Sequence, residues 1–137
     1  MDRDWWKVHL DEVNELFIGE RFSNNAHTGN YRTTKITKPC YANSGIGAIV
    51  TAIEGGAKKV ILLGYDCQKT NGQAHWHGDH PKQLGNANRI DSWVHKFAEF
   101  AEKNKHIQIL NASRQTALDC FQKVDLDEII GNASNIC

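Results

Sequence analysis

The chain has 137 residues, with 16 Lys and Arg set against 16 Asp and Glu, and it is 40% hydrophobic and 23% charged. That length suits a single domain, and a chain of this size buries roughly two-thirds of its unfolded surface, enough for a core without covalent staples. Zero formal charge excludes the nucleic-acid and anionic-membrane readings that depend on a basic excess, and the composition is globular rather than disordered. No apolar run approaches the roughly 18 residues that a membrane span needs. The opening MDRDWWKVHLDEV has no apolar signal core, so a cytoplasmic protein is expected. Cys40, Cys67, Cys120 and Cys137 are widely spaced with no CxxC pair, which fits free thiols in a reducing compartment.

The elements follow in chain order. Trp6, Leu10, Val13 and Phe17 lie on one face of a helix over residues 4–17. Trp5 and Trp6 point about 100° apart on that helix, so one core cannot hold both. Residues 19–43 are polar and read as loop, with a short strand near Tyr31–Ile36. Ile46, Ile49, Val50 and Ile53 predict a second helix, capped at Asn43-Ser44-Gly45 and stopped at Gly55-Gly56. Lys59-Val-Ile-Leu-Leu-Gly64 predicts a strand buried on both faces. A polar loop over residues 65–88 precedes a helix over 89–104, whose apolar face holds Ile90, Trp93, Val94, Phe97 and Ala101. Ile107–Leu110 predicts another strand. Two short helical pieces are expected around Thr116–Phe121 and Asp125–Ile130.

This alternation predicts an α/β fold, a truncated parallel sheet flanked by helices. Open parallel sheets bind ligands outside the carboxyl ends of their strands. On that rule three distant segments converge: Asn43–Gly45, Asp66–His80 and Asn111–Arg114. Asn43-Ser44-Gly45-Ile46-Gly47 opens a helix, where free N–H groups and the positive dipole end favour a phosphate or carboxylate; an ordinary capped helix is the competing reading. Asp66, just past a strand end, suits a ribose hydroxyl, a base or acid–base work, or simply caps its loop; Gln68 follows in the same segment.

His75-Trp76-His77-Gly78-Asp79-His80-Pro81 admits three readings. His75, His77, Asp79 and His80 match an H-x-H-x-D-H zinc pattern, but such hydrolases are longer and need further ligands, whereas only His95 and His106 follow. Alternatively the imidazoles donate to an anionic ligand and Trp76 stacks on a ring, with His77 or His80 acting as general acid or base. The third reading is a loop whose His and Asp cap each other. Zinc is the one cofactor that this loop would suit.

Taken together, the Asn43-Ser44-Gly45 helix start, the run Gly56–Asp66, the His75–Pro81 loop and Asn111-Ala112-Ser113-Arg114 resemble a phage- and prophage-encoded Rossmann-like family often labelled "norphogenetic protein". That family is similar to the hydroxymethylpterin pyrophosphokinase-like domain of unknown function. More distantly it resembles Campylobacter-type bacterial sialyltransferases, in which a Ser-Gly helix start binds a cytidine nucleotide. Asp2, Trp5 and Trp6 also fit its pattern. The Gly-rich βαβ unit that opens such relatives has no counterpart before Met1. The resemblance implies a Rossmann-like domain in the host cytoplasm that binds a nucleotide or nucleotide conjugate through Asn43, Ser44, Gly45, Asp66, Gln68, the His loop and Asn111. It also implies a use such as sequestering a host nucleotide signal. The alternatives are a transferase acting on a nucleotide-activated sugar or pterin, and a metal-dependent hydrolase. An exposed sheet edge predicts a homo-oligomer.

Overall fold

The protein alternates helices with short strands in a computed structural model that describes residues 3–24, 31–69, 72 and 90–133. It is a mixed helix–strand chain with two small parallel sheets. The described residues divide into two compact units, one within residues 3–56 and the other within residues 57–133.

In the first unit, α1 spans Arg3–Leu16. Trp6 is 2% exposed and stacks on the buried Tyr31, with ring centroids 5.5 Å apart and planes 8° apart. Its indole Nε1 is buried with no hydrogen-bond partner among the described residues. Trp5 stays partly exposed and lies against His9 at 4.8 Å. The two indoles therefore part company, as their helical offset requires. Phe17 departs from the expected buried face and is 50% exposed. The helix ends one residue before it, and its ring lies over Gly19, where an added Cβ would stand 2.7 Å from Phe17 Cζ.

Arg21 closes this helix end. Its guanidinium donates to Val13 O at 2.9 Å, Phe17 O at 3.0 Å and Asn14 Oδ1 at 2.6 Å. Val13 O also accepts from Phe17 N at 3.1 Å, so the guanidinium adds a second bond there, takes the carbonyl just past the helix and complements the negative dipole end. The chain then runs into β1 (Phe22–Ser23), which pairs in parallel with β2 (Thr34–Lys35). Sequence periodicity anticipates β2 but not β1, which is too short to carry a pattern.

Helix α2 (Ser44–Glu54) follows its prediction closely. Asn43 is the N-cap, and its Oδ1 accepts from Ile46 N at 3.0 Å. Ile46, Ile49, Val50 and Ile53 are buried. Gly55 forms the C-cap, and Gly56 leaves the helix at φ +95°, a conformation that costs a side-chain-bearing residue far more than glycine. The Glu54 carboxylate accepts from Thr37 Oγ1 at 2.6 Å, Thr37 N at 3.1 Å and Lys38 N at 2.9 Å. These bonds, that from the Thr37 hydroxyl foremost, hold its pKa below the ordinary value.

In the second unit, β3 (Lys59–Leu62), β4 (Gln108–Asn111) and β5 (Gln122–Lys123) form one sheet in that order, all parallel. Leu62 lies opposite Asn111, and Asn111 opposite Lys123. The crossover from β3 to β4 contains α3 (Ile90–Lys103), which buries Ile90, Phe97 and Phe100. Trp93, Val94 and Ala101 are only half-buried. Phe97 meets Tyr65 and Phe121 edge-on, at 5.8 Å and 6.2 Å. Asn104 ends the helix by donating to Phe100 O at 2.8 Å.

Two expectations fail here. β3 is not buried on both faces: Leu62 is 2% exposed, but Ile61 is 36% and Leu63 56% exposed. Alternation along a strand sends these two side chains to the face opposite Leu62, and among the described residues β3 is the edge of its sheet. Residues 116–121 form no helix; they are an irregular approach to β5. The Thr116 hydroxyl accepts from Leu118 N at 3.0 Å and donates to Tyr65 O at 2.7 Å, so side-chain bonding displaces the helical pattern. The last helix, α4 (Leu126–Ala133), matches the expected piece at 125–130 with a longer end. Among the described residues no helix is long and apolar enough to cross a membrane.

Replacing Arg21 by Ala is expected to destabilise the protein by roughly 1–2 kcal/mol, the scale of charged hydrogen bonds at a helix end. Urea denaturation measures it as a lowered midpoint with little change in slope. The Glu54 carboxylate has a lowered folded pKa, so its contribution is complete above the unfolded pKa and is lost as pH falls through the folded one. The Tm gap between wild type and Glu54→Gln should therefore stay constant from about pH 8 to about pH 5.5 and close on further acidification.

Candidate functional site

Because β3, β4 and β5 run parallel, their carboxyl ends share one edge. An open cleft of about 1150 Å³ lies there, lined by Leu63, Gly64 and Asp66, by residues 111–115 and by residues 122–128. This is where parallel sheets place ligands.

The cleft is built on a clamped peptide. Gly64 turns the chain out of β3 at φ +70°, where glycine alone is unstrained. Tyr65 is then held through both backbone groups: its N–H donates to Ser113 Oγ at 2.8 Å, and its C=O accepts from Thr116 Oγ1 at 2.7 Å. Asn111, 1% exposed, organises the opposite loop by donating to Thr116 Oγ1 at 3.2 Å and accepting from Ser113 N at 3.0 Å. Ala117 N donates to Asp66 O at 2.8 Å. These bonds tie the loop after β3 to the loop after β4 and present Asp66, Ser113 and Arg114 at the cleft.

The far wall is the start of α4. Asp125 Oδ1 accepts from Asp127 N at 2.8 Å and Glu128 N at 3.4 Å, so the helix carries its own anionic cap. Lys123, at the end of β5, pairs with Asp119 at 3.0 Å. Arg114 lines the cleft and makes no hydrogen bond or ion pair among the described residues. The Ser113 hydroxyl accepts from Tyr65 N and retains its own proton for donation.

Cys67 follows in the left-handed region at φ +48°. Burial, then the nearby Cys120 thiol and Asp66 carboxylate, push its pKa up to about 11. Burial also raises Cys120. Thiols so held are poor nucleophiles at neutral pH.

The structure places the predicted residues as follows. Asp66 lines the cleft, and Asn111 forms its base, with its amide spent on the loop. Gln68 is half-buried and outside the lining. Asn43, Ser44 and Gly45 begin α2 in the first unit; the Asn43 side chain serves the helix as its cap, Ser44 is exposed and Gly45 half-buried. His75, Trp76, His77, Asp79 and His80 lie outside the described residues, as does Asp2. Among the described residues no group of three or more His, Cys, Asp or Glu side chains is arranged to hold a metal ion.

Sequence reasoning placed Ser113 and Arg114 in a converging segment without giving either a role, and missed Lys123 and Asp125 as lining residues. Ser113 and Arg114 carry a signal, since they follow directly on the apolar strand run Ile107–Leu110. Lys123 and Asp125 carry none, because a strand of two residues with exposed side chains has no hydrophobic pattern.

Iodoacetamide should modify Cys67 at least about tenfold more slowly at pH 7 than a free cysteine, and the rate should keep rising up to about pH 11. Mass spectrometry of the Cys67 peptide checks this. Comparison with known proteins found no matching family model, no significantly similar curated protein and no significantly similar solved structure.

Proposed function

We propose that this chain is a Rossmann-like protein that binds a nucleotide or nucleotide conjugate, seated past the carboxyl ends of β3, β4 and β5. The carrying observation is the 1150 Å³ cleft at that shared edge, with Asp66, Ser113 and Arg114 presented by the clamped loops. Its size lies just above the roughly 300–1,000 Å³ usual for small-molecule sites, as befits an open cleft. Asp66 accepts from hydroxyl groups, as an acid past a parallel strand does toward a ribose. Ser113 and Arg114 donate to a phosphate, for which the planar guanidinium is well shaped.

Binding without turnover suits this lining. Its described side chains are carboxylates, amides, a hydroxyl, two cations and apolar groups, with no imidazole and no thiol among them. Capturing a nucleotide signal, the use implied by the phage family that the chain resembles, requires affinity alone.

Equilibrium dialysis against ribonucleotides and nucleotide sugars, followed by heat denaturation and chromatography of the released ligand, tests the proposal. At least one member should bind and return intact. Arg114→Ala should weaken that binding about tenfold or more, as loss of a charge-assisted hydrogen bond does, with an unchanged circular dichroism spectrum. No binding across the panel at about 1 mM overturns the proposal, since useful ligands bind more tightly than that. Return of a chemically altered ligand replaces it with a transferase.

A further inference from the structure

Resting on that reading, we infer that the cleft selects a guest with a single phosphate and free ribose hydroxyls, and discriminates against polyphosphates. Among the described residues four carboxylates, Asp66, Asp125, Asp127 and Glu128, line the cleft against two cations, Arg114 and Lys123, a formal excess of negative charge. Proteins that cradle polyphosphates do the reverse, gathering cations, uncapped helix N–H groups and a divalent ion around the charge.

Each of those devices is spent or lacking among the described residues. The amino end of α4 is taken by the chain's own Asp125 carboxylate. Lys123 is paired with Asp119. Among the described residues no three His, Cys, Asp or Glu side chains are grouped to hold a divalent ion of the protein's own. What remains for an anion is the adjacent pair of the Ser113 hydroxyl and the Arg114 guanidinium, which together suit one compact phosphate. Asp66, Asp127 and Glu128 then face the rest of the guest as hydrogen-bond acceptors, and hydroxyl groups are the donors that nucleotides offer. A second and third phosphate would bring further negative charge beside these carboxylates, and like charges repel.

The test is a titration series by isothermal calorimetry in EDTA. It uses AMP, GMP, CMP and UMP, their 2′-deoxy forms and their triphosphates, on the wild-type chain and on Asp127→Asn with Glu128→Gln. Both substituted side chains are exposed and neither makes the Asp125 cap, so the fold should persist. For the best base, the monophosphate should bind at least about tenfold more tightly than the triphosphate, and the 2′-deoxy form more weakly than the ribonucleotide. The double variant should narrow the gap between mono- and triphosphate. A triphosphate that binds as well as the monophosphate overturns this inference and leaves nucleotide binding standing. So does a gap that the double variant does not change. Failure of every mononucleotide, triphosphate and nucleotide sugar to bind overturns both.

Discussion

The peptide of Tyr65 is the constraint on which the candidate site depends. Its N–H and C=O are both satisfied by hydroxyls of the neighbouring loop, Ser113 and Thr116. A peptide leaving an edge strand would otherwise look to water for both bonds. Because Asn111 in turn holds Ser113 and Thr116, one buried amide organises two loops. Such linked polar groups are rigid when every member is satisfied. The rigidity matters because the loops, not the strands, carry the side chains that face the cleft.

The same network explains an unusual connection. Parallel strands are commonly joined by crossovers of roughly a dozen residues or more that contain a helix. Here segment 112–121 joins β4 to β5 with no helix. Its backbone is held by the Thr116 hydroxyl and by Asp66 O, and it is anchored by Leu118, fully buried, and Phe121, 6% exposed. Polar bonding and apolar burial thus replace the helix in bringing the chain back parallel.

Side chains also close the element ends in the first unit. Arg21 bonds Val13 O in the last turn of α1 and Phe17 O just past it, Asn43 takes an orphan N–H of α2, and Glu54 at the far end of α2 draws in the Thr37–Lys38 backbone. The Asn43 cap answers the requirement that backbone groups with no partner inside an element find one outside it. The second unit adds Asp125 at α4 and Asn104 at α3.

By itself the sequence determined the helices, the two apolar strands β3 and β4 and the cap of α2, since periodicity, β-branched runs and capping residues are local properties that act within a few neighbours. It also pointed to Asp66 and Asn111, because each stands at the end of an apolar strand run. Only the tertiary structure decided β1 and β5, whose two-residue pairings have no pattern of their own, and the refusal of residues 116–121 to form a helix, which depends on a Thr116 bond to Tyr65 far away in the chain. It alone showed that Asn111 is spent on architecture while Ser113 and Arg114 keep donors for a guest. Whether a polar side chain is consumed or available depends on partners remote in sequence, and no local pattern encodes them.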